Sequence, residues 1–480
     1  MSTERALPSY WTVVLTASGA NFLAMLDSTV TMLAVPALHK EFPAATLPDL
    51  SWVMSAYAIL FAALLAPSGR LADTLGRKRI LLGGISLFTV ASLLCALAPT
   101  LQLLIAARAV QGIGAAIMVP ASLSVLLLDS PPARRVMSIS LLSAAGAAAA
   151  AVGPSLGGLL VEAFSWHAVF LINVPIGIAL VIAGARVFRP APATGGMPDL
   201  VGTLLLVLGI GGLTLGITNG TSWEWTSGRT LACLVGGALC LVLAVLRSLR
   251  HRSPAFEFSL FSGNRMLTGA NLVGLLYGTV MYAWLLGNVL FLTEIWRYSE
   301  LEAGLAQTPG AILAAVGAVL MGKVMGRFGG PRFAAVLGMI AHAAVPAVML
   351  FVLTDDPAFL ELWLPASVFV GFGIGATMMA SMSAAATSAP PTKYASVSAL
   401  NSTARQIGGA LGAAAVATIL QSGTAADGTR EVSTYLNVFT FCLVLTAVTI
   451  VVAIVGLKKS NSEEKNGGQV PDARPQHAVR

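Results

Sequence analysis

The chain has 480 residues, of which 56% are hydrophobic and 10% charged, and a net charge of +7. Soluble domains carry roughly 25% charged residues; this composition therefore excludes an ordinary soluble enzyme. It predicts an all-α polytopic membrane protein, since a bilayer core admits only helices or closed barrels and the apolar runs here are helix-length.

Fourteen apolar segments are predicted to span, at 11–36, 50–69, 80–98, 101–127, 137–161, 167–187, 200–218, 230–247, 267–293, 304–325, 333–353, 362–388, 397–420 and 436–457. The first is too long for a signal-peptide core and reads as an uncleaved span. It holds Asp27, the one acid well inside any segment. An ionised group at membrane depth costs about 2.5 kcal/mol or more, so this carboxyl must be paired or able to lose its charge. One reading is a proton carrier, loading and unloading as its surroundings alternate; the other is a hydrogen-bonded carboxyl that only ties helices together.

Arg108 lies about seven residues into the fourth segment, ~10 Å at the helical rise, a depth similar to that of Asp27. The two are predicted to meet, and their pairing and separation would be a coupling device. In the fifth segment, "GPSLGGLL" (153–160) removes side-chain bulk at Gly153, Gly157 and Gly158, and Pro154 deletes a backbone donor. Small residues of this kind allow close helix approach, here predicted to be between segments five and thirteen. Segments seven and eight lack internal charges and read as a lipid-facing appendage. Cavity candidates are Trp52, Tyr57, Gln111, Asn271, Tyr277, Tyr282, Trp284 and Asn288, any of which serves equally well as a packing residue. Arg405 and Gln406 in segment thirteen are stronger candidates, because a deep charge must face the interior or a watery cavity. The four cysteines fall in apolar runs, and the five histidines (39, 167, 251, 342 and 477) show no ligand spacing.

The basic residues report topology rather than nucleic-acid binding. With a cytoplasmic N-terminus, 22 of the 28 Lys and Arg fall in inner loops and tails, 4 in outer loops and 2 inside spans. That bias predicts fourteen spans with both termini cytoplasmic. The two ends of the chain also match each other. "GRLADTLGRKR" (69–79) aligns with "GKVMGRFGGPR" (322–332), "GIGAAIM" (112–118) with "GIGATMM" (373–379), and "GPSLG" (153–157) with "GGALG" (408–412), at offsets of 253, 261 and 255. A duplicated six-helix unit marks a transporter whose halves rock around a midplane site. The expected division is an N-terminal bundle at 1–188, a two-helix insertion with linkers at 189–265, a C-terminal bundle at 266–457 and a disordered cytoplasmic tail at 458–480.

At these motifs the chain resembles the major facilitator superfamily, specifically its fourteen-span drug:proton antiporter branch. "GRLADTLGRKR" is similar to the superfamily's loop signature, "LDSTVTMLAVPAL" (26–38) to the branch's first-span motif and "RAVQGIGAA" (108–116) to its fourth-span motif. "GPSLGGLL" resembles the fifth-span motif associated with antiporters, "FLINVPIG" (170–177) the sixth span and "ARQIGGALGAA" (404–414) the thirteenth. The resemblance implies that Gly69, Arg70, Asp73, Gly76, Arg77 and Arg79 form a latch closing the cytoplasmic side, with Asp73 against the amino end of the thirteenth span, where a helix dipole favours a carboxylate. His167 stands where the branch usually has arginine, and Gly326 replaces the acid of the second loop copy.

Together these features predict a proton-coupled antiporter of the inner (cytoplasmic) membrane that exports an apolar organic compound such as an antibiotic, drug or secondary metabolite. One intramembrane acid against two arginines favours neutral, zwitterionic or weakly anionic cargo. No phosphate-binding loop is present, so the expected energy source is the proton gradient, with no cofactor, no metal, no enzymatic activity and no nucleic-acid partner. Proton-coupled uptake and a non-transporting receptor or scaffold remain as alternatives, against which Asp27 and the fifth-span motif together speak.

Overall fold

The computed structural model describes residues 9–45, 47–190, 199–251, 258–422 and 431–457. Among these residues the fold is helical, without strands. Fourteen helical segments dominate: α1 (Tyr10–Val30), α2 (Leu47–Leu75), α3 (Arg77–Ala96), α4 (Leu101–Asp129), α5 (Arg135–Ala163), α6 (Trp166–Leu171 continued by Asn173–Val187), α7 (Leu200–Trp223), α8 (Gly228–Arg250), α9 (Arg265–Glu294), α10 (Glu300–Val324), α11 (Pro331–Val352), α12 (Leu364–Thr387), α13 (Tyr394–Ser422) and α14 (Val432–Gly456). The expected tail at 458–480 and most of both linkers lie outside the described residues.

Thirteen of the segments are long and apolar enough to cross a bilayer. The other, α13, is 29 residues long but carries Ser396, Ser398, Asn401, Ser402, Thr403 and Arg405. Its position accounts for this polarity: it packs against α9, α2, α4 and α7, so its faces meet protein rather than lipid. By contrast, α8 turns Leu231, Val235, Leu239, Val242, Leu246 and Leu249 outward and buries Thr230, Gly237, Ala244 and Ser248. Roughly heptad spacing of small residues lets α8 lie close to α7, where a Cβ on Gly237 would stand 2.8 Å from the Leu213 nitrogen.

The α7–α8 pair is more than an appendage, because α7 packs on both α2 and α13. Its start is held by Asp199, which accepts from the Gly202 nitrogen at 3.0 Å and from Arg247 Nε at 2.7 Å. Those hydrogen bonds, that from Arg247 foremost, hold the Asp199 carboxyl below the usual carboxylate range.

The region between α2 and α3 also differs from the expected loop. Helix α2 continues to Leu75 and α3 begins at Arg77, so Gly76 alone separates them, with φ 101°. A left-handed backbone is open to glycine and strained for other residues, and this single residue turns the chain. The matched Gly329 has φ 108°. The aligned pair Gly69 and Gly322 is likewise equivalent in space. Gly69 of α2 faces Ala395 and Ala399 of α13, and Gly322 of α10 faces Ser140 of α5. Each glycine removes bulk where a helix of one repeat copy crosses one of the other, and α5 with α10 and α2 with α13 are the principal contacts between the copies.

The stripe of α5 does not meet α13. Gly157 lies against Val30, whose carbonyl oxygen would stand 3.0 Å from an added Cβ, and Gly153 lies against Thr29. The helix packed there is α1, alongside α10 on another face of α5. Small residues favour close approach without specifying the partner, and α1 is the neighbour with a matching surface. The backbone stays helical through Pro154 and Gly158.

Candidate functional site

Asp27 lies one turn before the end of α1 and is 1% exposed. Three donors converge on its carboxylate. Arg108 Nη1 donates to Oδ2 at 2.6 Å, while Gln111 Nε2 and Asn173 Nδ2 each donate to Oδ1 at 2.8 Å. Arg108 and Gln111 are three residues apart on α4 and therefore share a face. Arg108, also 1% exposed, donates further to Gln111 Oε1 at 2.6 Å and from Nε to the Val53 carbonyl at 3.0 Å. Its guanidinium lies 4.4 Å over the Tyr57 ring, whose hydroxyl donates to the Ala24 carbonyl at 3.4 Å. Gln111 Nε2 also donates to Ser92 Oγ of α3 at 2.7 Å.

Asn173 reaches the carboxylate because α6 is broken beside it. The helix stops at Leu171 and resumes at Asn173; Pro175 lacks the N–H that would bond the Leu171 carbonyl. The structure thus brings Asp27, Arg108, Gln111 and Tyr57 into one site with two groups the sequence reading passed over, Asn173 and Ser92. Asn173 had a visible signal: it is an amide in an otherwise apolar stretch, two residues before a proline. Burial of the two charges is offset by their pairing and by neutral donors and acceptors on nearly every side, the arrangement a buried ion pair requires.

At the Gly76 end, Asp73 accepts from Arg77 Nη2 at 2.8 Å on one oxygen. Its other oxygen accepts from the Ser396 nitrogen at 3.0 Å and the Ser396 hydroxyl at 2.7 Å. Ser396 lies in the first turn of α13, where backbone N–H groups lack helical partners. Arg77 Nη2 donates to the Pro391 carbonyl at 2.6 Å, and Arg135 Nη1 to the Tyr394 hydroxyl at 3.3 Å. Arg70 is half-buried beside Gly69, whereas Arg79 points outward and is exposed.

The remaining cavity candidates do not form a single cluster. Trp52 packs near Trp223 of α7, ring centroids 6.5 Å apart. Asn271 donates to the Leu267 carbonyl of its own helix, and Asn288 and Trp284 are buried in α9. Arg405 is half-buried at the middle of α13, with Nη1 3.7 Å from the Met378 sulfur and no carboxylate at ion-pair distance among the described residues. The adjacent Gln406 accepts from the Tyr282 hydroxyl at 3.2 Å, and Tyr282 is 36% exposed. Tyr277 is fully buried one turn away on α9. Among the described residues no group of His, Cys, Asp and Glu is arranged to hold a metal, and the four cysteines are free.

A model of the Major Facilitator Superfamily matches residues 17–413 and 272–477. The methylenomycin A resistance protein of Streptomyces coelicolor is 33% identical over 85% of this chain and 86% of its own length. The puromycin resistance protein pur8 of Streptomyces alboniger is 31% identical over 98% of this chain and 96% of its own. Among solved structures, the human organic anion transporter MFSD10 superposes with a TM-score of 0.67, covering 93% of this chain and 100% of that one at 16% identity, a likeness of fold. With its multi-pass helical fold, duplicated motifs and these matches, the chain belongs to the major facilitator superfamily of membrane transporters.

Proposed function

We propose that this transporter is a proton-coupled antiporter of the cytoplasmic membrane that exports an apolar organic compound by alternating access. The observation that carries the reading is the buried Asp27–Arg108 pair at 2.6 Å, with Gln111 and Asn173 bonded to the same carboxylate. A proton arriving at Asp27 removes its charge and with it the main partner of Arg108. Five helices supply side chains to this network, so the change of charge is felt by α1, α2, α3, α4 and α6 together. The relatives named for methylenomycin and puromycin resistance support efflux of antibiotic-sized compounds.

In this reading residues 1–188 and 266–457 are the two rocking bundles, and both termini are cytoplasmic. The latch is formed by Asp73, Arg77 and the first turn of α13, which join the copies at the basic, Gly76 end. Opening that end requires the Asp73 bonds to Ser396 to break, and in this reading the bonded arrangement is the cytoplasmically closed state. Arg405, with no carboxylate partner among the described residues, favours neutral, zwitterionic or weakly anionic cargo over dications.

The test is proton release from the purified protein, in weak buffer with a pH dye, on adding puromycin or methylenomycin A. Release by the wild type that is abolished in Asp27→Asn supports exchange on this carboxyl. Binding without release from the wild type overturns the antiport reading, and tighter binding of a dication than of a neutral analogue overturns the cargo assignment.

A further inference from the structure

His342 lies in the middle of α11 and is 0% exposed. Among the described residues no atom bonds either ring nitrogen. A buried imidazole with both nitrogens unbonded is costly, and such a group in a native structure calls for an explanation. Its surroundings supply one. The Tyr277 ring stands 6.4 Å away at 84° and the Trp284 ring 5.4 Å away at 71°. The Tyr277 hydroxyl and Thr377 Oγ1 are buried and likewise lack protein partners. Thr377 belongs to the same seam between α11 and α12. A Cβ on Gly373 would meet the His342 Cβ at 3.1 Å, and one on Gly338 would meet Thr377 Oγ1 at 2.6 Å. Each glycine is four residues from the polar residue on its own helix, so His342 and Thr377 stand about one helical turn apart across the seam.

We propose that His342, boxed by Trp284, Tyr277 and Thr377, is a second proton-binding site, separate from Asp27 and built into the other repeat copy. Three features support it. First, Trp284 and Tyr277 meet the imidazole in T-shaped pairs, and an aromatic face turned to an imidazolium offers cation–π stabilisation without a counter-ion. Second, no fixed charge competes within the box. Helix α12 carries no titratable residue. Helix α14 brings Cys442 and Tyr435, the latter bonded to Glu294 at 2.6 Å. Helix α9 contributes Tyr277 and, further along, Tyr282; Arg405 of α13 lies beyond Tyr277. Third, the corresponding helix pair is polar in both copies, though at different positions: at the offsets of 253 and 261, His342 aligns with Thr89 and Thr377 with Ala116. In the first copy the polar contact of the α3–α4 seam is Ser92 with Gln111, which reaches Asp27; α11 and α12 are the corresponding helices of the second copy and carry His342 and Thr377. Met378, next to Thr377, touches Arg405, so the box lies directly behind the half-buried Arg405.

The proposal rests on the exchange reading for its role but not for its test. In 15N-histidine-labelled full-length protein in lipid nanodiscs, His342→Gln assigns the His342 signals by difference. Stepping the pH from about 9 to about 4 in the absence of cargo then reads its state. The expected result is conversion from a neutral tautomer to imidazolium within that range, with a midpoint displaced in folded Tyr277→Leu, which removes the ring. A signal that stays neutral throughout, or a midpoint that folded Tyr277→Leu leaves unmoved, overturns the proposal. With puromycin added, His342→Gln that still unfolds at the wild-type temperature should release roughly half the protons of the wild type; unchanged release overturns a coupling role. If the wild type releases none, antiport fails while the titration still decides His342.

Discussion

Asp27→Asn should destabilise the protein by about 3 kcal/mol, toward the lower end of what breaking a buried ion pair costs. The substitution keeps the size of the side chain but replaces an acceptor-only group with one that also donates. All three partners of Asp27 are donors: Arg108, Gln111 and Asn173. An asparagine carbonyl can serve two of them, leaving its own amide opposed to a third. Arg108 then keeps Gln111 Oε1, the Val53 carbonyl and the Tyr57 face but loses its counter-charge while 1% exposed. An ordinary interhelical hydrogen bond in a membrane is worth roughly 0.6 kcal/mol, so most of the loss comes from the stranded guanidinium. The assay is denaturant unfolding in detergent followed by the fluorescence of the eight tryptophans. Asp27→Asn combined with Arg108→Gln should recover at least half of the loss. A single-mutant loss below about 1 kcal/mol, or a double mutant less stable than Asp27→Asn, refutes the view that the pair is an energetic unit.

Asp73→Asn weakens the bonds to Ser396 and Arg77 and should loosen the α2–α13 crossing. Maleimide labelling of a cysteine placed at Ala395, buried in the closed crossing, should rise several-fold, and unchanged labelling contradicts the latch. Gly69→Val should impair transport more than Gly326→Val, because a Cβ at Gly69 comes 2.5 Å from the Ala395 carbonyl while none is met at Gly326; drug accumulation in cells expressing each variant checks this. Gly76→Ala should cost roughly 1 kcal/mol for its backbone at φ 101°, read as a lower unfolding midpoint. Asp199→Ala should destabilise at neutral pH and not at strongly acid pH. A carboxyl held below its unfolded value stabilises above that value, about 3.9, and loses the contribution as pH falls through its folded one; unfolding midpoints of both proteins across that range test it.

Much of this was legible in the sequence because it depends on local or summed quantities. Apolar run lengths marked the helices, and a lone acid and one of the two intramembrane arginines, at similar depth, marked Asp27 and Arg108 as partners. The alignment of Gly76 with Gly329 identified two residues that share a left-handed backbone. The site's other members were less visible: Asn173 reaches Asp27 only because α6 breaks at Ile172, and Ser92 only because Gln111 bridges to it.

Tertiary packing decided the rest. The stripe at Gly153 and Gly157 is as compatible with α13 as with α1, and only three-dimensional packing seats it on Thr29 and Val30. The end of α2 reads as a loop because it is charged, yet it stays helical to Leu75 because Asp73 and Arg77 pair with each other and with the start of α13. Segments seven and eight lack internal charges and so read as lipid-facing, whereas α7 joins α2 to α13. His342 was one histidine among five until α9 and α12 closed around it. Hydropathy measures how each segment partitions from water, and that is settled residue by residue. Which face meets which neighbour depends on matching surfaces of many similar Gly- and Ala-rich helices, information that no single segment holds.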